Sequence, residues 1–248
     1  MNHRGVYVSK KATISAVFAI AVSGLALLIP LLHAQKEEMQ ARVAELKESM
    51  AKNKQALAQY TWHETDTIKL KGEVKKTSNF QVRMGPDGKP QKTSLDAPPQ
   101  AQQQSGGRGG RLKEKVVENK KEEYKEYGDD MKALAAQYVP PDKDAIQAAQ
   151  AKGNISITPS SGSPSEVKLV IKDYAKPGDS MTLLFDKAQK QLLSITIATY
   201  MKDPKDAMNL AVQFSKLPDG TNYTSSTNVE GVSKQLTVIM QNSDYQKI

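Results

Sequence analysis

The run YTWHETDTIKL at 60–70 sets Trp62, Glu64 and Asp66 at alternate positions, so an extended chain carries one indole and two carboxylates on the same side. Two carboxylates on one face can divide acid and base roles when their surroundings separate their pKa values, or they can line the polar mouth of a cavity. The simpler reading is a strand end that frays into solvent. His63 falls on the opposite, polar side. The other two histidines lie at positions 3 and 33, and the chain holds no cysteine, so His63 reads as a surface side chain rather than a base. Ser-x-x-Lys occurs at 49–52 and 165–168, as chance allows in a chain rich in serine and lysine, and no Gly-x-Ser-x-Gly elbow accompanies it. Thiolate metal sites, cysteine nucleophiles and disulfides are excluded. GGRGG at 106–110 precedes no phosphate-cradling turn. The residues therefore assemble no catalytic constellation and no cofactor site, and a non-enzyme is expected.

The elements that would position these residues follow from periodicity. Met39, Val43, Leu46, Met50 and Leu57 recur at helical spacing, with Asn53 on the same stripe. The stripe is either one helix laid across a sheet or a short coiled-coil seam whose register Asn53 sets. After it, period two predicts a strand over 60–70 and a second through Val74, Phe80, Val82 and Met84, ending at the turn GPDGK. Residues 96–111 (DAPPQAQQQSGGRGGR) read as a flexible loop. A helix is expected over 112–138, ended by Pro140 and Pro141. Asp142 then caps a short helix through Ala151 that Gly153 closes. Beyond it, strands are expected around Val167–Ile171, Met181–Asp186, Leu193–Ile197, Leu210–Phe214, Tyr223–Val229 and Leu236–Met240. The intervals between them are short, as in an antiparallel meander. The fold class is α+β: a curved antiparallel sheet, a half-barrel of about eight strands, with an N-terminal helix and inserted helices.

Residues 1–34 read as a secretory signal: basic Arg4, Lys10 and Lys11, then an uncharged run at 12–32, then Ala34 before a polar switch. The run is also long enough to serve as an uncleaved anchor. Residues 35–248 are expected to form one α+β domain, periplasmic or secreted. Without the first 34 residues, 32 basic side chains face 27 acidic ones, down from 35 against 27 in the whole chain. That modest excess suits anionic lipid headgroups or polyanionic envelope material. The two arginines among glycines at 108 and 111 lack an aromatic platform, so no nucleic-acid partner is expected. Membrane contact is expected only through an uncleaved N-terminal segment.

The order of elements, together with Tyr60-x-Trp62 after a helix, FDKAQKQL at 185–192 and LPDG at 217–220, resembles the periplasmic lipoprotein-carrier (Lol-type) superfamily. That resemblance implies an incomplete barrel holding acyl chains beneath inserted helices, and it carries over no catalytic residue. YVPPD (138–142), KPGDSM (176–181) and DPKD (203–206) are similar to runs in uncharacterised exported bacterial proteins, which implies no activity. A single sheet with two or three helices leaves apolar surface to be filled. The expected binding face comprises Trp62, Ile68, Phe80 and Val82 from the early strands, with Leu193, Ile195, Ile197, Leu210, Val212 and Phe214 from the later ones. Its expected occupant is a lipid or lipoprotein. The alternative is an envelope structural or interaction protein that docks a protein partner through the N-terminal helix or a sheet edge.

Overall fold

The computed structural model describes Glu48 and residues 51–97, 111–189 and 191–248. Ser49–Ile248 forms a compact unit of its own. Helical residues 51–57 (α1) lead into β1 (Tyr60–Leu70), β2 (Glu73–Met84) and β3 (Pro90–Ser94). The chain continues through α2 (Arg111–Ala135) and α3 (Lys143–Ala151). Seven strands follow: β4 (Ile155–Pro159), β5 (Glu166–Lys172), β6 (Ser180–Asp186), β7 (Gln191–Tyr200), β8 (Ala207–Lys216), β9 (Asn222–Gly231) and β10 (Leu236–Lys247). All ten strands make one antiparallel sheet in the order β3-β2-β1-β10-β9-β8-β7-β6-β5-β4.

The α+β class holds, but the sheet has ten strands rather than about eight, and it is open, with β3 and β4 at its edges. The two extra strands, PQKTS and ISITP, are five residues each and almost wholly exposed. PQKTS carries no apolar alternation and ISITP only the single pair Ile155 and Ile157, so pairing with a neighbour more than hydrophobic patterning makes them extended. Turn chemistry sets the β1–β2 hairpin. Lys71 and Gly72 both take positive φ (53° and 81°) between the paired Leu70 and Glu73, the backbone a tight two-residue hairpin needs.

The helices end as their residues dictate. The Asp142 side chain accepts the Ala145 N–H at 2.8 Å and opens α3, and Gly153 at φ 74° follows its last turn. α2 lies so close to β9 that a Cβ on Gly231 would stand 2.5 Å from the Tyr127 ring and 2.8 Å from the Met131 sulfur. Only glycine admits the helix there. Asn53 spends its side chain on the backbone of Asn222, its amide donating to the carbonyl and its oxygen accepting the N–H. α1 is thereby pinned to the start of β9 in the same chain, which favours a helix laid on the sheet over a coiled-coil register residue. Val43, Leu46 and most of the loop at 96–111 lie outside the described residues, as does the apolar run at 12–32. Among the described residues no helix is long and apolar enough to cross a membrane.

The three short runs YVPPD, KPGDSM and DPKD meet neighbouring elements at one end of the sheet. Buried Asp179 accepts the N–H groups of Tyr174, Ala175 and Lys176 at 2.6–3.0 Å and the Tyr138 hydroxyl at 2.6 Å. Tyr138 also meets Thr199 at 2.7 Å, and its phenol is pushed well up by burial and then by the Asp179 carboxylate. The Tyr174 hydroxyl accepts the Asp142 N–H, Lys176 donates to the carbonyls of Tyr200 and Met201, and Asp206 accepts the Tyr127 hydroxyl at 2.7 Å. Every named polar group here has a partner within the chain, so these runs tie helices to strand ends.

Candidate functional site

Paired residues of neighbouring antiparallel strands share a face, and the register therefore reads out the composition of each side of the sheet. One row crosses nine strands: Ile157, Leu169, Leu183, Ile195, Val212, Thr227, Met240, Asp66, Ser78. The next row is Ile155, Ile171, Met181, Ile197, Leu210, Val229, Val238, Ile68, Lys76. Rows on the other side carry Thr65 opposite Asn79 and Gln241, Thr67 opposite Thr77, and Gln213 opposite Ser226. The sheet thus has one apolar and one polar face, and the apolar face changes character part-way across.

From β5 to β8 the apolar face is sealed. Leu183, Ile195, Ile197, Leu210 and Val212 are at most 2% exposed. From β10 to β2 it is not, since Met240, Val238, Asp66, Ile68 and Phe80 are each half-buried. This half-open strip adjoins the aromatic cluster at the start of β1. Trp62, 5% exposed, stacks on Tyr245 with centroids 5.3 Å apart and planes at 12°. Its indole N–H donates to the Asn242 oxygen at 3.1 Å, and Asn242 donates to the Thr224 carbonyl at 2.9 Å. Tyr60 and Tyr223 complete the cluster around Tyr245, at 6.4 and 4.4 Å. A bulge between Thr61 and His63, with Asp244 at φ 53°, opposes Trp62 with an extra β10 residue and lets both Asn242 and Tyr245 reach the indole.

Glu64 and Asp66 lie on this same face, and the fraying expected at their end of the strand does not occur. Glu64 is buried, between its cross-strand partners Phe80 and Asn242. The ammonium of Lys92, from the β3 edge strand, bonds to Glu64, stands 3.3 Å from Asp66 Oδ2, and lies 5.3 Å from the Phe80 ring centroid. Burial pushes the Glu64 carboxyl above its ordinary value and neighbouring Asp66 adds to this, while Lys92 pulls the other way. Burial alone would lower Lys92, but Glu64 and Asp66 outweigh it and hold the ammonium above its ordinary value. Asp66 Oδ1 is buried without a hydrogen-bond partner. Two carboxyl groups share one ammonium at the centre of the strip. The lysine bridges the acids, so the pair is not set out as an acid facing a base across an open substrate position.

The sequence-derived residues divide between the two halves. Val82 is fully buried, Trp62, Ile195, Ile197, Leu210 and Val212 are buried within the same face, and Ile68 and Phe80 lie in the half-open strip. Two assignments shift because bulges break the period. At the β6–β7 bulge Leu192, not Leu193, pairs with Phe185 and is buried, and Phe214 is half-buried beside a second bulge at Gln213/Phe214. Sequence reasoning missed Tyr245, Asn242 and Lys92. Tyr245 depends on the bulge at Asp244, Asn242 continues the alternation of Val238 and Met240 past the expected strand end at 240, and Lys92 depends on an edge strand without alternation. His63, on the polar face, meets Asp244 at 3.2 Å with both side chains exposed.

The chain matches no known family model, and no curated protein is similar to it in sequence. Among solved structures, a DUF1329 family protein from Desulfovibrio piger is similar, with 11% sequence identity and a TM-score of 0.43. The match covers 84% of this chain and 92% of that one.

Proposed function

We propose that the chain is an exported, non-catalytic binding protein that accepts a hydrophobic or lipid ligand on the apolar face of its sheet, as the likeness to lipoprotein carriers implies. The observation that carries this reading is the change along each row of the apolar face. The aliphatic half is sealed, whereas Ile68, Phe80, Val238 and Met240 stay half-exposed side by side, and an apolar strip left open in a folded protein is suited to a ligand. Trp62 and Val82 form its floor at one end, and Glu64, Asp66 and Lys92 supply polar groups for orienting a headgroup. The test is native mass spectrometry of residues 35–248, purified from a membrane-containing host without detergent, with organic extraction of whatever is bound. A stoichiometric mass excess that extracts as lipid supports the reading. An apo mass, with no binding of added fatty acids or apolar dyes, refutes it.

A second reading has its own observation. Both edge strands are exposed, and an envelope protein partner adding a strand beside β3 or β4 would find unpaired backbone groups there. Pro90 and Pro159 stand within those edges and remove donors, which narrows the register available to such a partner. Oligomeric state in solution, and capture of a partner lost on substituting Lys92 and Thr93 by proline, test this reading.

A further inference from the structure

We propose that the end of the sheet built by the β1–β2 and β9–β10 turns docks on an anionic lipid bilayer. The two turns are neighbours: the Lys71 N–H donates to the Gln235 carbonyl at 2.9 Å, directly beyond the paired Leu70 and Leu236. Each presents a bare valine, Val74 at 57% and Val232 at 43% exposure. Among the described residues the other exposed large apolar side chains, Leu95, Ile157 and Ile248, are scattered over the strand edges and the chain end. Around the valines stand Lys69, Lys71, Lys75, Lys76 and Lys234, against Glu73, Glu123, Asp206 and Glu230. Lys75 pairs with Glu73 and Lys234 with Glu123. Among the described residues, Lys69, Lys71 and Lys76 have no acidic partner within ion-pair distance.

Two isolated valines on hairpin tips offer far less area than a stable protein interface, which buries about 800 Å² per partner. They do suit shallow insertion among headgroups, where lysine stems lie along apolar surface while their ammonium groups reach outward to phosphate. Charge complementarity therefore selects an anionic bilayer surface over a protein groove. A tip that holds the domain against such a surface also brings the half-open strip near lipid, because Ile68 and Val238 lie only two positions from Leu70 and Leu236 on the same strands.

The experiment is co-sedimentation of residues 35–248, which retain the whole compact unit Ser49–Ile248, with phosphatidylglycerol/phosphatidylcholine vesicles and with phosphatidylcholine vesicles alone. Binding is expected only to the anionic vesicles, weakening at least ~10-fold between low salt and 0.5 M NaCl as screening shortens. The double variant K71E/K76E should bind at least about 25-fold more weakly, at about 5-fold for each lysine lost before the two added negative charges are counted. V74S/V232S should bind about 3-fold more weakly, and circular dichroism verifies that both variants fold. Ile248→Ser, at the exposed chain end beyond β10 and away from the tip, should leave vesicle binding unchanged. Equal binding to neutral vesicles, no binding to either, or full retention by K71E/K76E would each overturn the proposal.

Discussion

The two halves of the apolar face are built on the same rows of the same sheet, yet they differ in what they can do. Across β5–β8 each row reads Leu, Ile, Met or Val and is sealed. Across β10–β2 the same rows read Met240, Asp66, Ser78 or Val238, Ile68, Lys76, and most of those positions are half-open. The contrast teaches that the aliphatic half supplies stability and leaves the other half free to carry charge. Among the aliphatic side chains of the sealed rows an unbonded carboxylate would be costly, and the buried Asp179 at their end is held by three backbone N–H groups and the Tyr138 hydroxyl. Beside a solvent-reaching strip a buried carboxylate, a bridging lysine and a stacked tryptophan are tolerated.

Substitutions can break this contrast, and the largest effects belong to the sealed half. Asp179→Ala should cost about 4 kcal/mol in urea denaturation, because it strips a buried carboxylate from three N–H groups and the Tyr138 hydroxyl at once. Ile197→Ala should cost about 3 kcal/mol through the cavity it leaves. In the half-open strip, Lys92→Met should cost only about 1–2 kcal/mol, since the lysine is a third exposed and solvent screens the pair. That variant also sharpens the electrostatics. Folded Glu64 is raised above its unfolded value, so its ionisation opposes folding: its contribution is fully present below the unfolded pKa of about 4 and is lost as pH rises through the folded value. Without Lys92 that loss should be steeper, which pH-dependent thermal melts would reveal.

Phe80→Ala should be the mildest to stability, at about 1 kcal/mol, while it lowers affinity for an apolar ligand. A smaller, purely pH-driven effect belongs to Asp219, in the β8–β9 turn beside the aromatic cluster. The Tyr60 hydroxyl, and then the Thr221 N–H, hold its carboxyl down to about 2. Its contribution is present above the unfolded value of about 4 and is lost as pH falls towards 2. Tyr60→Phe should flatten the acid limb of a pH–stability profile over that window.

Much of this arrangement was legible in the sequence wherever the side-chain period was unbroken. Trp62, Glu64, Asp66 and Ile68 alternate cleanly, and Ile195, Ile197, Leu210 and Val212 do so from their own strands, so placing them on one face needed only period two. The α2–α3 pair was legible from Pro140, Pro141, Asp142 and Gly153. Illegible were the features set by pairing rather than pattern. The bulge at Asp244 turns Tyr245 onto the indole, the β6–β7 bulge exchanges Leu192 for Leu193, and five exposed residues around Lys92 become a strand because β2 offers them an edge. Nor did alternation reveal that Glu64 is buried, since its burial depends on Phe80, Asn242 and Lys92 arriving from three other strands.

Trp62 is the chain's one tryptophan, and it lies within the proposed site, which makes ligand entry directly observable. The decisive measurement is fluorescence titration of residues 35–248 with a fatty acid brominated along its acyl chain. The account predicts saturable quenching of Trp62 at near one-to-one stoichiometry, reversed by the unbrominated acid and much weakened in Phe80→Ala. Unquenched emission throughout the titration, or quenching unaltered by Phe80→Ala, would contradict it.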